Sequence, residues 1–353
     1  MRKDVFAIVA FALAGLGCMS ATAFDTTPLQ LSLTPDAQVV PDDWSVAGLR
    51  LCLPYGRNES VYGLDLGAIT QFDDEFLGFQ VALANVAGPG HDPRVDSFNG
   101  LQVGGLINYF RGHDFYGMQI AGLANISRVA ERQVGIQIAG IGNWNRFSSF
   151  TGLQISGILG NGGTWWGGGA GSEGGGGMVP DDDEPAGDVT GVQISLSGIG
   201  AAAYVPYTPI GVIVLALPVN RAGEMRGLQL AGIGINESKT WLRGVQIAGL
   251  VNLCRDGTGA QLGLANCCLG RHGSDFTGLQ LGGLNLAGVA SAEARFGVAT
   301  GVQVGGINYA RRLTGIQIGA INYANALNGV QIGAVNIIRS GPVPFLPIVN
   351  AAF

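Results

Sequence analysis

Charge is scarce in this chain. Asp, Glu, Lys and Arg make up 12% of its 353 residues, histidine occurs three times, and lysine occurs only at Lys3 and Lys239. A nucleic-acid surface needs clustered Lys and Arg to displace phosphate counterions, and no such cluster is present. A disordered chain would carry more charge and less apolar bulk than the 47% found here. After the first residues no apolar run reaches the ~18 residues a membrane helix requires, so any insertion would use strands. Catalytic signatures are missing too. There is no G-x-S-x-G, and Ser156, Ser195 and Ser197 occupy ordinary repeat positions, which argues against a triad. Strings such as Gly232-Ile-Gly234 arise from the repeat and open no helix, so they are not phosphate loops. His91, His113 and His272 lie far apart and no C-x-x-C accompanies them, so no zinc ligand set forms. The expectation is a protein that is not an enzyme, with no catalytic, cofactor-binding or metal residues.

What is abundant is glycine, 60 residues of it, arranged in a tandem repeat. The phrase Gly, apolar, Gln, apolar, small recurs thirteen times, usually closing on Asn, as in Gly315-Ile-Gln-Ile-Gly-Ala-Ile-Asn322 and Gly329-Val-Gln-Ile-Gly-Ala-Val-Asn336. From Gln80 to Gln331 the glutamines are spaced 14 to 23 residues apart, except for two long gaps. A fixed core with variable connectors reads as strands and turns. Each unit is too small to bury its apolar side alone and must do so against its neighbours. The eight residues starting at each of the thirteen glycines carry no charge, whereas connectors such as Arg111-Gly-His-Asp114 and Arg255-Asp256 do. Some units close one residue later, as in Gly117 to Asn125 and Gly244 to Asn252, with the extra residue near the small pair in mid-unit. A bulge or corner there would keep later side chains on their proper faces.

Degenerate copies appear at Gly48 to Gly56, at Gly63 to Thr70 with Asp65 in the Gln place, and at Gly211 to Asn220 with Ile213 there. With Leu29 to Leu33 and Phe345 to Phe353, about 17 or 18 candidate strands result. Met1-Arg-Lys3, the apolar stretch from Val5 to Gly17 and Ala21-Thr-Ala23 before Phe24 have the layout of a secretory signal peptide over residues 1–23. Lipoprotein processing at Cys18 is a competing reading, disfavoured by Gly15-Leu16-Gly17 before it. Removing residues 1–23 would leave 17 basic against 24 acidic side chains, a net charge of −7. The chain then divides into an N-terminal segment at 24–47, a first repeat block at 48–159, a Gly-rich acidic insert at 160–189 and a second block at 190–353.

Period-two alternation splits the unit into two faces. In the last copy Val330, Ile332, Ala334 and Asn336 point one way and Gly329, Gln331, Gly333 and Val335 the other. The leading architecture is an all-β, tandem-repeat antiparallel β-barrel of outer-membrane type, its oily face toward lipid and its Gly/Gln face toward a lumen. The terminal aromatic Phe353 agrees with it; the meagre polarity of the inner face does not. The alternative is a β-solenoid, in which same-sense coils stack and the Val/Ile face fills the interior. The Gln and Asn rows are expected to hydrogen-bond within the sheet rather than to hold a partner. In the insert, Asp181 to Glu184 with Asp188 reads as a solvated loop before a Ca²⁺ site, and Trp165-Trp166 could stack on a sugar or tuck onto the array. Cys254 with Cys267 or Cys268 sits in neighbouring repeats where an exported protein could join them, and burial as small apolar residues, Cys52 among them, fits equally.

The tandem GxQxG units ending in Asn, the exported N-terminus and the tail Pro342-Val-Pro-Phe-Leu-Pro-Ile-Val-Asn350 before Phe353 resemble the bacterial surface-repeat family, from about Val46 onward. The long insert and the weak unit at Gly211 depart from it. The resemblance implies a cell-envelope or surface location, in the outer membrane or on the surface of a double-membrane bacterium, with an envelope or cell-surface component as partner. It brings no reaction. The expected function is structural or interactive, with an outer-membrane pore for small uncharged solutes as the alternative.

Overall fold

The computed structural model describes residues 25–88, 95–146, 149–158, 160–161, 188–196, 219–270, 274–290 and 297–353, which are strands, turns and bends without a helix. They form two compact units, residues 1–118 and 119–353. Each is a β-solenoid. The antiparallel barrel is therefore corrected. Outer-membrane barrels alternate strand direction, whereas here successive copies pair parallel with like residues opposite one another: Gly278, Gln280 and Asn285 oppose Gly301, Gln303 and Asn308. Connectors carry the chain around to the start of the next coil instead of back across the sheet. The strand Ala299–Ile338 is one such path of 40 residues.

The repeat glycine has a double reason to be glycine. Gly315 has φ +142°, a backbone region that L side chains rarely adopt, and a Cβ on it would lie 1.9 Å from the carbonyl oxygen of Gly301 in the coil before. Gly78 is held the same way in the first unit, at φ +143° and 2.0 Å from Gly63 O. The column of glycines lets adjacent backbones close up at the corner preceding each Gln.

The interior is not oily in the expected sense. Gln and Asn fill it, and the Val/Ile face of the solenoid reading points outward instead. In the second unit Gln303, Gln317 and Gln331 each donate from Nε2 to the Oε1 of the glutamine one coil earlier, at 2.7 Å. Asn308 and Asn322 donate from Nδ2 to the Oδ1 of the asparagine one coil later, at 2.8 Å, and to backbone carbonyls of Ile318 and Ile332 at 2.9 Å. A parallel strand spacing of about 4.8 Å lets identical amides satisfy one another coil by coil. Buried amides of this kind are costly when unpaired and contribute about 1 kcal/mol each when paired. The rest of the interior is an apolar column two residues before the repeat glycine and another two residues after the ladder Asn, as with Leu313 and Ala324.

The two long gaps do not break the ladder. Gln193 donates to Gln154 at 2.9 Å and accepts from Gln229 at 2.8 Å, so these three copies are consecutive coils. The short strand Gly160–Asn161, early in the first gap, pairs with Gly142 and Asn143, and Asn220, late in the second, bonds Asn236 at 2.9 Å, so both coils keep a second half. Units that close one residue late bend there: Gly249 and Leu250 interrupt the strand between Ala248 and Val251. The expected corner is present.

Both ends of the described array are closed. Thr26–Thr34 forms a coil ahead of residue 48, pairing parallel with 45–52, and Gln30 exchanges two hydrogen bonds with the backbone of Val40. Phe345–Ala352 runs antiparallel along the last coil, with Asn350 opposite Gln331. Such atypical ends are what a stack of repeats needs to stop.

Candidate interaction surface

The residue on each side of the ladder Gln is apolar in every copy from Leu49 to Ile332. With Gln turned inward, period two turns these flanking residues outward. In the first unit Leu77, Phe79, Val81 and Leu83 stand 57%, 58%, 42% and 56% exposed along one strand. In the second, Ile316, Ile318, Ile321 and Ile332 are each about 40% exposed, with neighbours one coil above and below making columns of the same chemistry. Soluble monomers rarely expose continuous apolar ground beyond a few hundred Å². Period two separates the ladder Gln from its apolar flanks, but it does not carry through to Asn336, expected beside Val330 and Ile332, which instead turns inward with Gln331, and it does not say which face is buried. The usable signal was the recurrence of Gln and of the small residues two places to either side of it, since a narrow coil interior admits only side chains that stack.

Apart from Arg50 and Asp65, the charged side chains among the described residues lie outside the repeat cores. Arg221 pairs with Glu237 at 2.5 Å in the adjacent coil, and Glu224 takes Arg226 at 3.0 Å and Arg243 at 3.2 Å. Asp256 accepts from the backbone N–H of Asp275, and Asp275 from that of Val298, both at 2.8 Å, so aspartates cap the coil above. Asp188 plays the same part toward Glu224 N.

A recess of about 460 Å³ in the first unit is lined by Asp42, Asp43, Arg57, Glu59, Asp73 and Asp74. Arg57 crosses it, 2.6 Å from Asp73 and 3.5 Å from Asp42. Burial, then repulsion from Asp96 and Glu75, holds the Asp74 carboxyl above the usual range. One resident guanidinium thus stands among five carboxylates and pairs with two of them.

Beneath it lies a buried ion pair that the sequence reading missed. Asp65 was recognised in a Gln place, but Arg50 one coil earlier was not, although it too stands two residues after a repeat-type glycine. Arg50 Nε and Nη2 donate to Asp65 Oδ1 and Oδ2 at 2.9 and 2.7 Å, and Gln80 Nε2 donates to Oδ2 at 2.8 Å, so charge substitutes for two rungs of the amide ladder. Both side chains are fully buried. Burial opposes the Arg50 charge, yet Asp65 holds its pKa above the ordinary value. Burial also pushes the neighbouring Cys52 thiol up to about 12.

Other singled-out residues scatter. Ser156 and Ser195 are buried rungs, 3.3 Å apart, with Ser195 donating to Asn220 at 2.7 Å. His113 sits 3.5 Å from Asp96. His91, His272, Ser197, Trp165-Trp166, Asp181 to Glu184 and Gly211 to Pro218 lie outside the described residues. Among the described residues, no group of three or more His, Cys, Asp or Glu is arranged to hold a metal ion. No protein-family model, curated protein or solved structure matches this chain.

Proposed function

We propose that this is a non-enzymatic, exported cell-envelope protein whose solenoid units are interaction scaffolds, docking through their uncharged outer columns onto an apolar surface of an envelope component. One observation carries the reading: the flanks of every ladder Gln are Leu, Ile, Val, Phe, Met or Ala, and in both units many of them stand exposed. An exterior of that kind loses water when covered, at about 25 cal/mol per Å² of apolar area. Placement in the envelope follows from the signal-like N-terminus and the surface-repeat resemblance. The pore reading needed a lumen, and a coil packed with Gln, Asn, Phe and Leu offers none among the described residues.

The test is fractionation of cells expressing the full chain, beside a variant with Ile316, Ile318 and Ile332 changed to Thr. The β-branched replacements preserve strand propensity while removing apolar area. The parent should remain with the envelope through salt washing and leave it in detergent; the variant should wash off while keeping its β circular dichroism. Recovery of the parent as a free monomer in buffer, or unchanged retention of the variant, would contradict the proposal.

A further inference from the structure

Among the buried columns of the second unit, one holds Ser238, Cys254, Cys268, Ala287, Ala310 and Ala324, each two residues after a ladder Asn. Asn252 and Asn266 are bonded neighbours in adjacent coils at 2.8 Å, so Cys254 and Cys268 are neighbours as well. Their sulfurs lie 2.7 Å apart in the interior, Cys254 at 4% and Cys268 at 0% exposure. In-register parallel neighbours have Cα atoms about 4.8 Å apart, inside the ~4.4–6.8 Å window that a disulfide accepts.

We infer that Cys254 and Cys268 are an oxidative cross-linking site, joined by a disulfide that staples two consecutive coils. Chemically, a thiolate of the pair attacks an external low-molecular-weight disulfide, forming a mixed disulfide and expelling one thiol. The second cysteine then displaces the other thiol, so two thiol hydrogens and two electrons leave the protein and one external disulfide becomes two thiols. Timing follows from burial. The hydrogen bond with Cys254, then burial, raises the Cys268 thiol well above the ordinary range, so thiolate is scarce once the coils have closed. The bond therefore forms while the coils are still assembling, and afterwards resists reduction. Cys267 is the adjacent thiol, at a different place in the coil: it opposes Leu286, and the register shifts immediately after it. Cys52 belongs to the first unit.

The full chain, denatured, reduced and refolded in reduced and oxidised glutathione, can be quenched in acid, alkylated in guanidinium and cleaved after Arg255 and Arg271. A cross-linked pair containing Cys254 and Cys268, with Cys52 and Cys267 labelled, is the expected outcome. Cys254→Ala and Cys268→Ala should each abolish it and Cys267→Ala should retain it. The alanine variants are expected to fold because Ala already occupies this column at Ala287, Ala310 and Ala324. The parent's denaturant midpoint should fall on reduction, and those of the Cys254→Ala and Cys268→Ala variants should not move. Labelling of both Cys254 and Cys268 in the refolded parent, or a cross-link to Cys267 or Cys52 instead, would overturn the inference.

Discussion

The two units share one frame and fill it differently. In the second, the Gln row runs from Gln229 through Gln246, Gln261, Gln280, Gln303 and Gln317 to Gln331 with each link at 2.7–2.8 Å, beside mixed columns in which Phe150, Met225 and Phe276 alternate with Ala, Cys, Val and Leu. In the first, two rungs are Arg50 and Asp65, and the apolar columns are phenylalanine: Phe76 stacks on Phe98 at 5.0 Å and Phe98 on Phe115 at 4.8 Å, with Phe72 and Phe110 packed against them. Stacked rings at the coil spacing serve the same purpose as stacked amides. The difference teaches that the described copies from Gly48 onward keep a glycine corner and a hydrogen-bonded rung, whereas the identity of each rung is negotiable.

The largest effect should come from breaking the charged rungs. Asp65→Asn leaves the buried Arg50 guanidinium without its counter-charge and should destabilise the first unit by about 3–5 kcal/mol in guanidinium titration. Arg50→Gln combined with Asp65→Gln rebuilds the second unit's ladder inside the first and should come within about 1 kcal/mol of the parent. If the double variant is as damaged as the single one, the two interiors are not interchangeable.

The frame itself should behave alike in both units. Gly78→Ala and Gly315→Ala each impose a forbidden φ and a clash with the coil before, at a cost of about 3 kcal/mol apiece. Gly306→Ala, whose Cβ would meet Gly283 O at 3.0 Å and whose φ lies outside the glycine region, should change stability by less than about 1 kcal/mol. Similar costs at all three sites would remove the corner argument.

How much of this was legible depended on which physical rule the residues engage. All-β character, coil length and the mid-unit corner could be read from Gly, Gln and Asn spacing, and the tail from Phe345 onward proved to be a strand. Direction could not be read: period two is the same for parallel and antiparallel neighbours, and only the pairing of Gln303 with Gln280 separates solenoid from barrel. Nor could the inner face. Hydrophobicity ranks Ile318 above Gln317 for burial, but tertiary context overrides it because an amide in register with its copies satisfies both its donor and its acceptor. The first coil was legible as a strand at Leu29 to Leu33 but not as a repeat copy with Gln30 as its rung, because Pro28 stands where other coils carry glycine.

A smaller effect distinguishes the first unit in alkali. With the Cys52 pKa raised from an unfolded thiol near 8.5 to about 12, the neutral thiol's contribution is complete below about pH 8.5 and is lost as pH climbs toward 12. The stability difference between the parent and Cys52→Ala should accordingly shrink by about 2 kcal/mol between pH 8.5 and 10. A difference independent of pH would show that the unfolded and folded thiols titrate together.

The most direct test of the inward amides and outward aliphatics is solvent paramagnetic relaxation on the purified chain, comparing the side-chain amide protons of Gln303, Gln317 and Gln331 with the methyls of Ile316, Ile318 and Ile332. The solenoid predicts protected glutamine amides and strongly relaxed isoleucine methyls. Relaxed amides with protected methyls, as in a detergent-bound barrel with a wet lumen, would contradict it.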